Sequence, residues 1–183
     1  MQPQVGNTWR ADELYLKVRG NMNYLYALID DETRFWIAKE VSDTNYYADV
    51  HDLFKEGRKV AGKAPFHIIT DGAPNFRARI ENEFWREKKQ LALVHKQDIR
   101  FDGQIHNNKM ERMNGEIRDR EKAVRGVKMD GPPIERLRIY HNYVRPHTGL
   151  DGRTPADLAG IEVRSDNKWI TLIQNANRKN TKM

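Results

Sequence analysis

Cysteine is absent from all 183 residues, which excludes disulfides and thiolate zinc sites. No apolar run approaches the ~20 residues that a membrane-spanning helix requires. The opening residues, Met1-Gln2-Pro3-Gln4-Val5-Gly6, have neither the basic start nor the apolar centre of a signal peptide. Internal repeats and low-complexity blocks are also lacking. These absences point to a cytoplasmic protein, and the length suits one sizeable core in one domain.

What the chain has in excess is positive charge. A formal charge of +6 and a pI near 9.5 favour phosphate polymers through Coulomb attraction and counterion release. Charge alone is a weak signal of function.

The first 42 residues read as a three-strand meander. Residues 11–19 alternate, with Asp12, Leu14, Leu16 and Val18 on one face and Ala11, Glu13, Tyr15 and Lys17 on the other. Gly20-Asn21 turns the chain into a strand over 23–30, and Asp30-Asp31-Glu32-Thr33 turns it again into 34–41. The period then becomes helical over 42–61, where Tyr46, Val50, Leu53 and Phe54 share a face. A short buried strand over 66–70, a helix over 76–88 and a fifth strand over 91–94 follow. Residues 97–106 read as a polar loop. Helices are expected over 107–125 and 134–143, with a short one over 154–158. The polar, basic end from Asn175 is expected to be disordered. This order describes a mixed sheet of three antiparallel and two parallel strands flanked by helices, the element order of the ribonuclease H-like fold.

Three carboxylates stand out against this layout. Asp12 shares a strand face with Leu14, Leu16 and Val18, where an ionised group is costly unless a cation or hydrogen bonds compensate. The alternative is an edge-strand Asp facing solvent. Asp71 ends the apolar run Phe66-His67-Ile68-Ile69-Thr70, where open sheets present ligand-binding groups. Read alone, Asp71-Gly72 is also a common turn. The third position has three candidates on one helix, Glu111, Glu116 and Glu121. At about 100° per residue, Met110, Met113 and Ile117 form an apolar stripe that Glu111 borders, while Glu116 lies about 140° from Glu111, towards solvent. Glu111 is preferred. Two strand carboxylates and one helix carboxylate can converge on a pair of Mg²⁺ ions. The six histidines offer no convincing metal-ligand spacing.

Four segments together carry a family resemblance. Trp9-Arg10-Ala11-Asp12-Glu13-Leu14-Tyr15, Ile68-Ile69-Thr70-Asp71-Gly72, Met110-Glu111-Arg112-Met113-Asn114-Gly115 and Tyr140-to-Leu150 with Thr154-Pro155 resemble, in order and spacing, the catalytic core of DDE transposases. These are the insertion-sequence enzymes of the retroviral-integrase-like superfamily. Each motif is weak singly, and the set is strong. The resemblance covers roughly residues 9–160, leaving 1–8 as an N-terminal extension and 161–183 as a C-terminal tail.

The resemblance implies metal-dependent phosphodiester hydrolysis and strand transfer on double-stranded DNA. Asp12, Asp71 and Glu111 would hold two Mg²⁺ or Mn²⁺ ions, and a homodimer or higher multimer would form on DNA in the prokaryotic nucleoid. It also implies a DNA contact for Arg118, two turns beyond Glu111, with Arg112, Asn108 and Asn114 as further candidates. Arg118 can equally be a solvated charge paired with Glu121 or Lys122, and the two asparagines can orient phosphate or be polar surface. Tyr140, Asn142, Arg145 and His147 are expected to terminate and pack the last core helix. Related transposases carry a DNA-recognition region before the core, whereas this chain begins eleven residues before Asp12; it is expected to bind DNA but choose sites poorly. Two other readings stay open: a catalytically silent transposase-derived binding or assembly module, and a ribonuclease H-like nuclease. The latter would usually add a fourth carboxylate, for which Glu13 and Asp102 are poor candidates.

Overall fold

The computed structural model describes residues 2–44, 50–71, 74–89, 94–97, 108–123 and 132–180. Its centre is a five-stranded sheet of β1 (Thr8–Val18), β2 (Asn21–Asp30), β3 (Trp36–Ser42), β4 (His67–Thr70) and β5 (Val94–Gln97), in the order β3-β2-β1-β4-β5. The first three strands pair antiparallel through short turns, while β4 joins β1, and β5 joins β4, in parallel. The expected meander plus two parallel strands is therefore the observed sheet. β1 lies at its centre, so Asp12 is no edge-strand residue.

Alternation along the strands divides the core into two halves. Trp9 and Ala11 of β1 and Tyr26 and Leu28 of β2 pack against Leu53 and Phe54 of α1 (His51–Ala61) and Phe76 and Ile80 of α2 (Pro74–Glu83). Leu14, Leu16 and Val18, with Leu25, Ala27 and Ile29, face Met110, Met113 and Ile117 of α4 (Asn108–Ala123). Each large apolar side chain so covered contributes about 1.5–3 kcal/mol. Helix α3 (Trp85–Lys89) follows α2, with Phe84 at the break still donating its N–H to Ile80 O over 3.0 Å.

Several boundaries differ from the sequence reading. Ser42 ends β3, and the helix expected from there is seen from His51; residues 45–49 lie outside the described set. Of the strand expected over 91–94 only Val94 lies within the described residues, and β5 is seen over Val94–Gln97, Val94 pairing with His67 of β4. The loop expected over 97–106 falls almost wholly outside the described residues.

After α5 (Pro132–Ile139) the helix widens through Tyr140–Val144, closing with Arg145 N–H on Tyr140 O at 2.9 Å. This wider turn directs His141 and Asn142 inward, where both are buried. The Asn142 carboxamide accepts the Trp36 N–H at 2.7 Å and donates to the Trp36 carbonyl at 3.0 Å, so it pairs with edge strand β3 as a further strand would. Thr154 caps α6 (Pro155–Leu158) by a reciprocal pair of bonds with Asp157. Helix α7 (Lys168–Asn180) carries regular structure through most of the tail expected to be disordered from Asn175.

Candidate active site

The strand register sets the site. β1 and β4 pair at a constant offset, Thr8 with His67, Trp9 with Ile68 and Arg10 with Ile69. The pairing ends at Arg10 and Ile69, and Asp71 follows directly on the last residue of β4, where it is near enough to Asp12 for the two charges to act on one another. Asp12 is on the face of β1 on which α4 lies.

Asp12 registers its neighbour. Its carboxyl is pushed up to about 7, first by burial and then by the negative charge of Asp71. Hydrogen bonds from the Glu13 N–H (2.9 Å) and the Asn114 side chain pull the other way without overcoming them. A carboxylate held in a partly buried place beside a second one is a site that a cation would relieve.

Helix α4 runs alongside β1 and in its direction, fastened at three levels. Near its start Lys109 reaches Asp31, which also holds Arg10 of β1. At mid-length Asn114 Nδ2 donates to Asp12 Oδ2 over 2.8 Å. Near its end Glu121 Oε1 accepts the Lys17 N–H at 2.6 Å. Around the helix, Met113 and Glu116 face Trp36 of β3, and Asn114 and Glu121 face β1. Continuing in that sense, the next flank carries Glu111 and Arg118, on the side of β4 and Asp71.

The structure thus brings Asp12 and Asp71 together and sets Glu111, which is exposed, one turn before Asn114 on the adjoining flank. Among the described residues no three His, Cys, Asp or Glu side chains stand close enough to hold a metal ion. The Glu111 side chain is exposed.

Asn114 is not polar surface: it is buried and its amide is given to Asp12. Arg118 and Asn108 are exposed, Arg118 on the flank of Glu111. Arg112 is also exposed but lies about 100° round the helix from Glu111, lining a 360 Å³ groove with Arg34, Glu116 and Arg145 on the far side from Asp12. Glu121 bonds the Lys17 backbone.

Glu116 does not face solvent as its helical angle suggested. It is half-buried, ion-paired with Arg145, and 3.5 Å from His141 Nδ1. Burial alone would raise its carboxyl, but the His141 hydrogen bond and the nearby cationic groups prevail and hold it below the usual range. The widened turn after α5 covers this flank, a feature without a signature in helical periodicity.

Sequence reasoning missed the partnership of Arg10, Asp31 and Lys109. Asp31 Oδ1 takes Arg10 Nε at 2.5 Å and Lys109 Nζ at 2.8 Å, and Lys109 also donates to the Asp31 carbonyl at 2.7 Å. Asp31 lies in a stretch whose turn chemistry accounted for its acidity, so nothing local pointed to a distant partner.

A ribonuclease H-like sheet with one carboxylate on its central strand, a second just past the end of the parallel strand beside it, and a helix laid along the first has the architecture of the integrase-like cores. The chain belongs to the DDE domain family of IS240-type transposases, whose model matches residues 6–131. It is similar to the transposase for insertion sequence-like element IS431mec of Staphylococcus aureus, 37% identical over 70 residues that make up 37% of this chain and 29% of that protein. The transposase of insertion sequence element IS257 in transposon Tn4003 matches to the same extent. The aligned part therefore spans less than a third of these relatives' length. Among solved structures, the fold resembles the HTLV-2 integrase catalytic core domain in complex with magnesium (TM-score 0.59, 15% identity, 86% of this chain and 98% of that one). It also resembles a chain of the simian T-cell lymphotropic virus intasome (TM-score 0.66, 18% identity, 87% and 56%).

Proposed function

We propose that this chain is the catalytic domain of a DNA transposase, with Asp12, Asp71 and Glu111 holding two Mg²⁺ or Mn²⁺ ions for phosphodiester hydrolysis and strand transfer. The observation that carries the reading is the Asp12–Asp71 pair, Asp12 on the central strand and Asp71 just past the end of its parallel neighbour, with Asp12 raised to about 7 by burial and by its partner. Bound cations would supply Lewis acidity for in-line attack by water or a DNA 3′-OH and for departure of the 3′-oxygen. The residues divide the remaining work. Asp12, at the centre of the sheet and held by Asn114, would be the ligand whose position is fixed before the metal binds. Asn114 holds the Asp12 carboxylate in one orientation through Oδ2. Glu111, on α4, would be the third ligand.

Arg118, exposed beside Glu111, and Asn108 at the start of the helix are suited to meet DNA phosphates. Arg112 would meet DNA only along the other flank of α4. The substrate is double-stranded DNA, worked on by a homodimer or larger multimer in the prokaryotic nucleoid. The HTLV-2 integrase core is described in dimeric and trimeric forms. Among the described residues no helix is long and apolar enough to cross a membrane. Family membership leaves neither the silent module nor the ribonuclease H-like nuclease as the favoured reading.

The test is Mn²⁺ titration by calorimetry alongside nicking of a supercoiled plasmid. Wild-type protein should bind the ion and nick, and Asp71→Asn and Asp12→Asn should do neither. Nicking that persists in Asp12→Asn would refute the assignment.

A further inference from the structure

Glu111 is exposed and stands on the first turn of α4, so where that turn sits decides whether its carboxylate can meet Asp12 and Asp71. Met110 packs that turn against the sheet, and beside this contact stands an ionic clamp outside the carboxylate set. Asp31 is itself tied to β1, its N–H donating to Thr8 O at 2.9 Å. Its Oδ1 takes the Nε of Arg10, which is two residues before Asp12 on the same strand face and almost wholly buried. The same oxygen takes Lys109 Nζ, and the Asp31 carbonyl takes it again, so the ammonium is held at two points. Lys109 precedes Glu111 by two residues on α4.

We infer that Asp31, with Arg10 and Lys109, is a positioning device of the active site, fixing the height and rotation of the first turn of α4 so that Glu111 faces the Asp12–Asp71 pair. This rests on the proposal that Glu111 is a metal ligand.

The geometry separates this clamp from an ordinary surface ion pair. Exposed pairs contribute little, because two long side chains lose freedom for a screened attraction. Here the Arg10 and Asp31 side chains are only 8% and 22% accessible, and Asp31 is kept ionised below the usual range: burial would raise it, but the bonds from Lys109 and Arg10 outweigh that effect. Met110 presses the turn onto the sheet through apolar contacts, which set no fixed polar register, and the other polar fastenings lie further along the helix. Glu121 holds the far end of the helix, ten residues from Glu111. Asn114 holds one point at mid-length, about which the first turn could still pivot. A tether at Lys109 removes that pivot. Groups that orient a ligand from behind typically change metal affinity 10–100-fold when removed.

The experiment compares wild type, Lys109→Met, Lys109→Arg and Asp31→Asn, with Glu111→Gln as reference. Lys109 is about one-third accessible, so its replacement by Met leaves the core packing in place, and melting temperature is followed for every variant. Three quantities are read: Mn²⁺ affinity by calorimetry, amide exchange over residues 109–114 without metal, and kcat against KM for plasmid nicking. Lys109→Met and Asp31→Asn should bind Mn²⁺ about tenfold more weakly, exchange faster over 109–114, and lose kcat at unchanged KM. Lys109→Arg, which keeps the charge on Asp31, should stay near wild type. Lys109→Met with wild-type Mn²⁺ affinity and exchange, while Glu111→Gln loses the ion, would overturn the clamp and leave the metal assignment standing. Glu111→Gln with undiminished Mn²⁺ affinity would overturn the metal assignment and the clamp with it.

Discussion

Asn114 Nδ2 lies 2.8 Å from Asp12 Oδ2, a bond that joins α4 to the central strand across 102 residues of sequence. It is a hydrogen bond to the charged form of a carboxylate, and such bonds favour ionisation. Losing it would leave Asp12 free to rotate and harder to ionise. Asn114→Ala is therefore expected to slow plasmid nicking by about tenfold or more. Since the amide faces Asp12, the affinity of the same protein for a DNA duplex should stay within about twofold, as read by fluorescence anisotropy. A variant that loses duplex affinity and keeps its rate would make Asn114 a DNA contact instead.

Asp12 gives the metal-free protein a distinctive pH response. Its carboxyl titrates near 7 in the folded chain against 3.8 as the reference value. Between those values the folded state binds more protons than the unfolded one, so stability falls as pH rises from about 4 to 7 and levels off above. At about 1.4 kcal/mol per pH unit, and discounted for partial solvent access, the cost at pH 8 is on the order of 2 kcal/mol. Asp12→Asn should be more stable than wild type by that order in EDTA at pH 8, with the gain gone below pH 4. Mg²⁺ should stabilise wild type and not the variant. Urea unfolding across pH, with and without the ion, measures both.

His147 works in the opposite sense over part of the same range. Burial first, then the neighbouring His141, lowers its ring to about 4 from 6.5, against a partial pull upward from Glu116. Between 4 and 6.5 the unfolded chain binds the extra proton, so this contribution to stability rises with pH and is lost as pH falls below 6.5. In wild type the two slopes offset one another. The Asp12→Asn variant removes one, and its stability should rise from pH 4 to 6.5 where wild type changes less. A flat profile in Asp12→Asn would show that His147 is not held neutral by its surroundings.

How much of this was legible in the sequence follows from what each feature depends on. The placement of Asp12 with Leu14, Leu16 and Val18 was readable, because strand alternation is local and strict. Asp71 was readable as the end of a short apolar run, and the parallel pairing of that run with β1 then brought it near Asp12. The first turn of α4 was not readable. Lys109 and Asp31 are 78 positions apart, and each has an ordinary local explanation, a solvated helix charge and a turn acid. Glu116 was misplaced for a related reason: its angle from the apolar stripe is correct, but the widened turn bringing Arg145 and His141 over it has no periodic signal.

Asn142 shows what the closing signature contributes to the fold. Its carboxamide satisfies both backbone groups of Trp36 on edge strand β3, in a place where Trp36 is buried. Truncation would leave a buried N–H and a buried carbonyl unpaired, at about 1–3 kcal/mol each. Asn142→Ala is expected to lose about 2–4 kcal/mol, measured by urea unfolding, with Mn²⁺ affinity of the remaining folded protein unchanged. Asn142→Asp would keep the acceptor but set a buried carboxylate against the Trp36 carbonyl, so it should be at least as destabilising as Asn142→Ala at neutral pH.

The two glutamates of α4 can be told apart by substitutions that remove charge and keep shape. Glu111 is exposed and the fold asks little of it, so Glu111→Gln should melt within about 1 °C of wild type, as surface changes usually do, while losing Mn²⁺ binding and nicking. Glu116 is half-buried against Arg145 and His141. Removing its charge strands the Arg145 cation, and breaking a partly buried pair costs roughly 2–3 kcal/mol, somewhat below the fully buried case. Glu116→Gln should therefore lower the melting temperature while leaving Mn²⁺ affinity near wild type for the protein that remains folded. Calorimetric titration of both variants, with melting followed in parallel, decides the matter. If the ion is lost from Glu116→Gln and kept by Glu111→Gln, the third ligand has been assigned to the wrong flank of the helix.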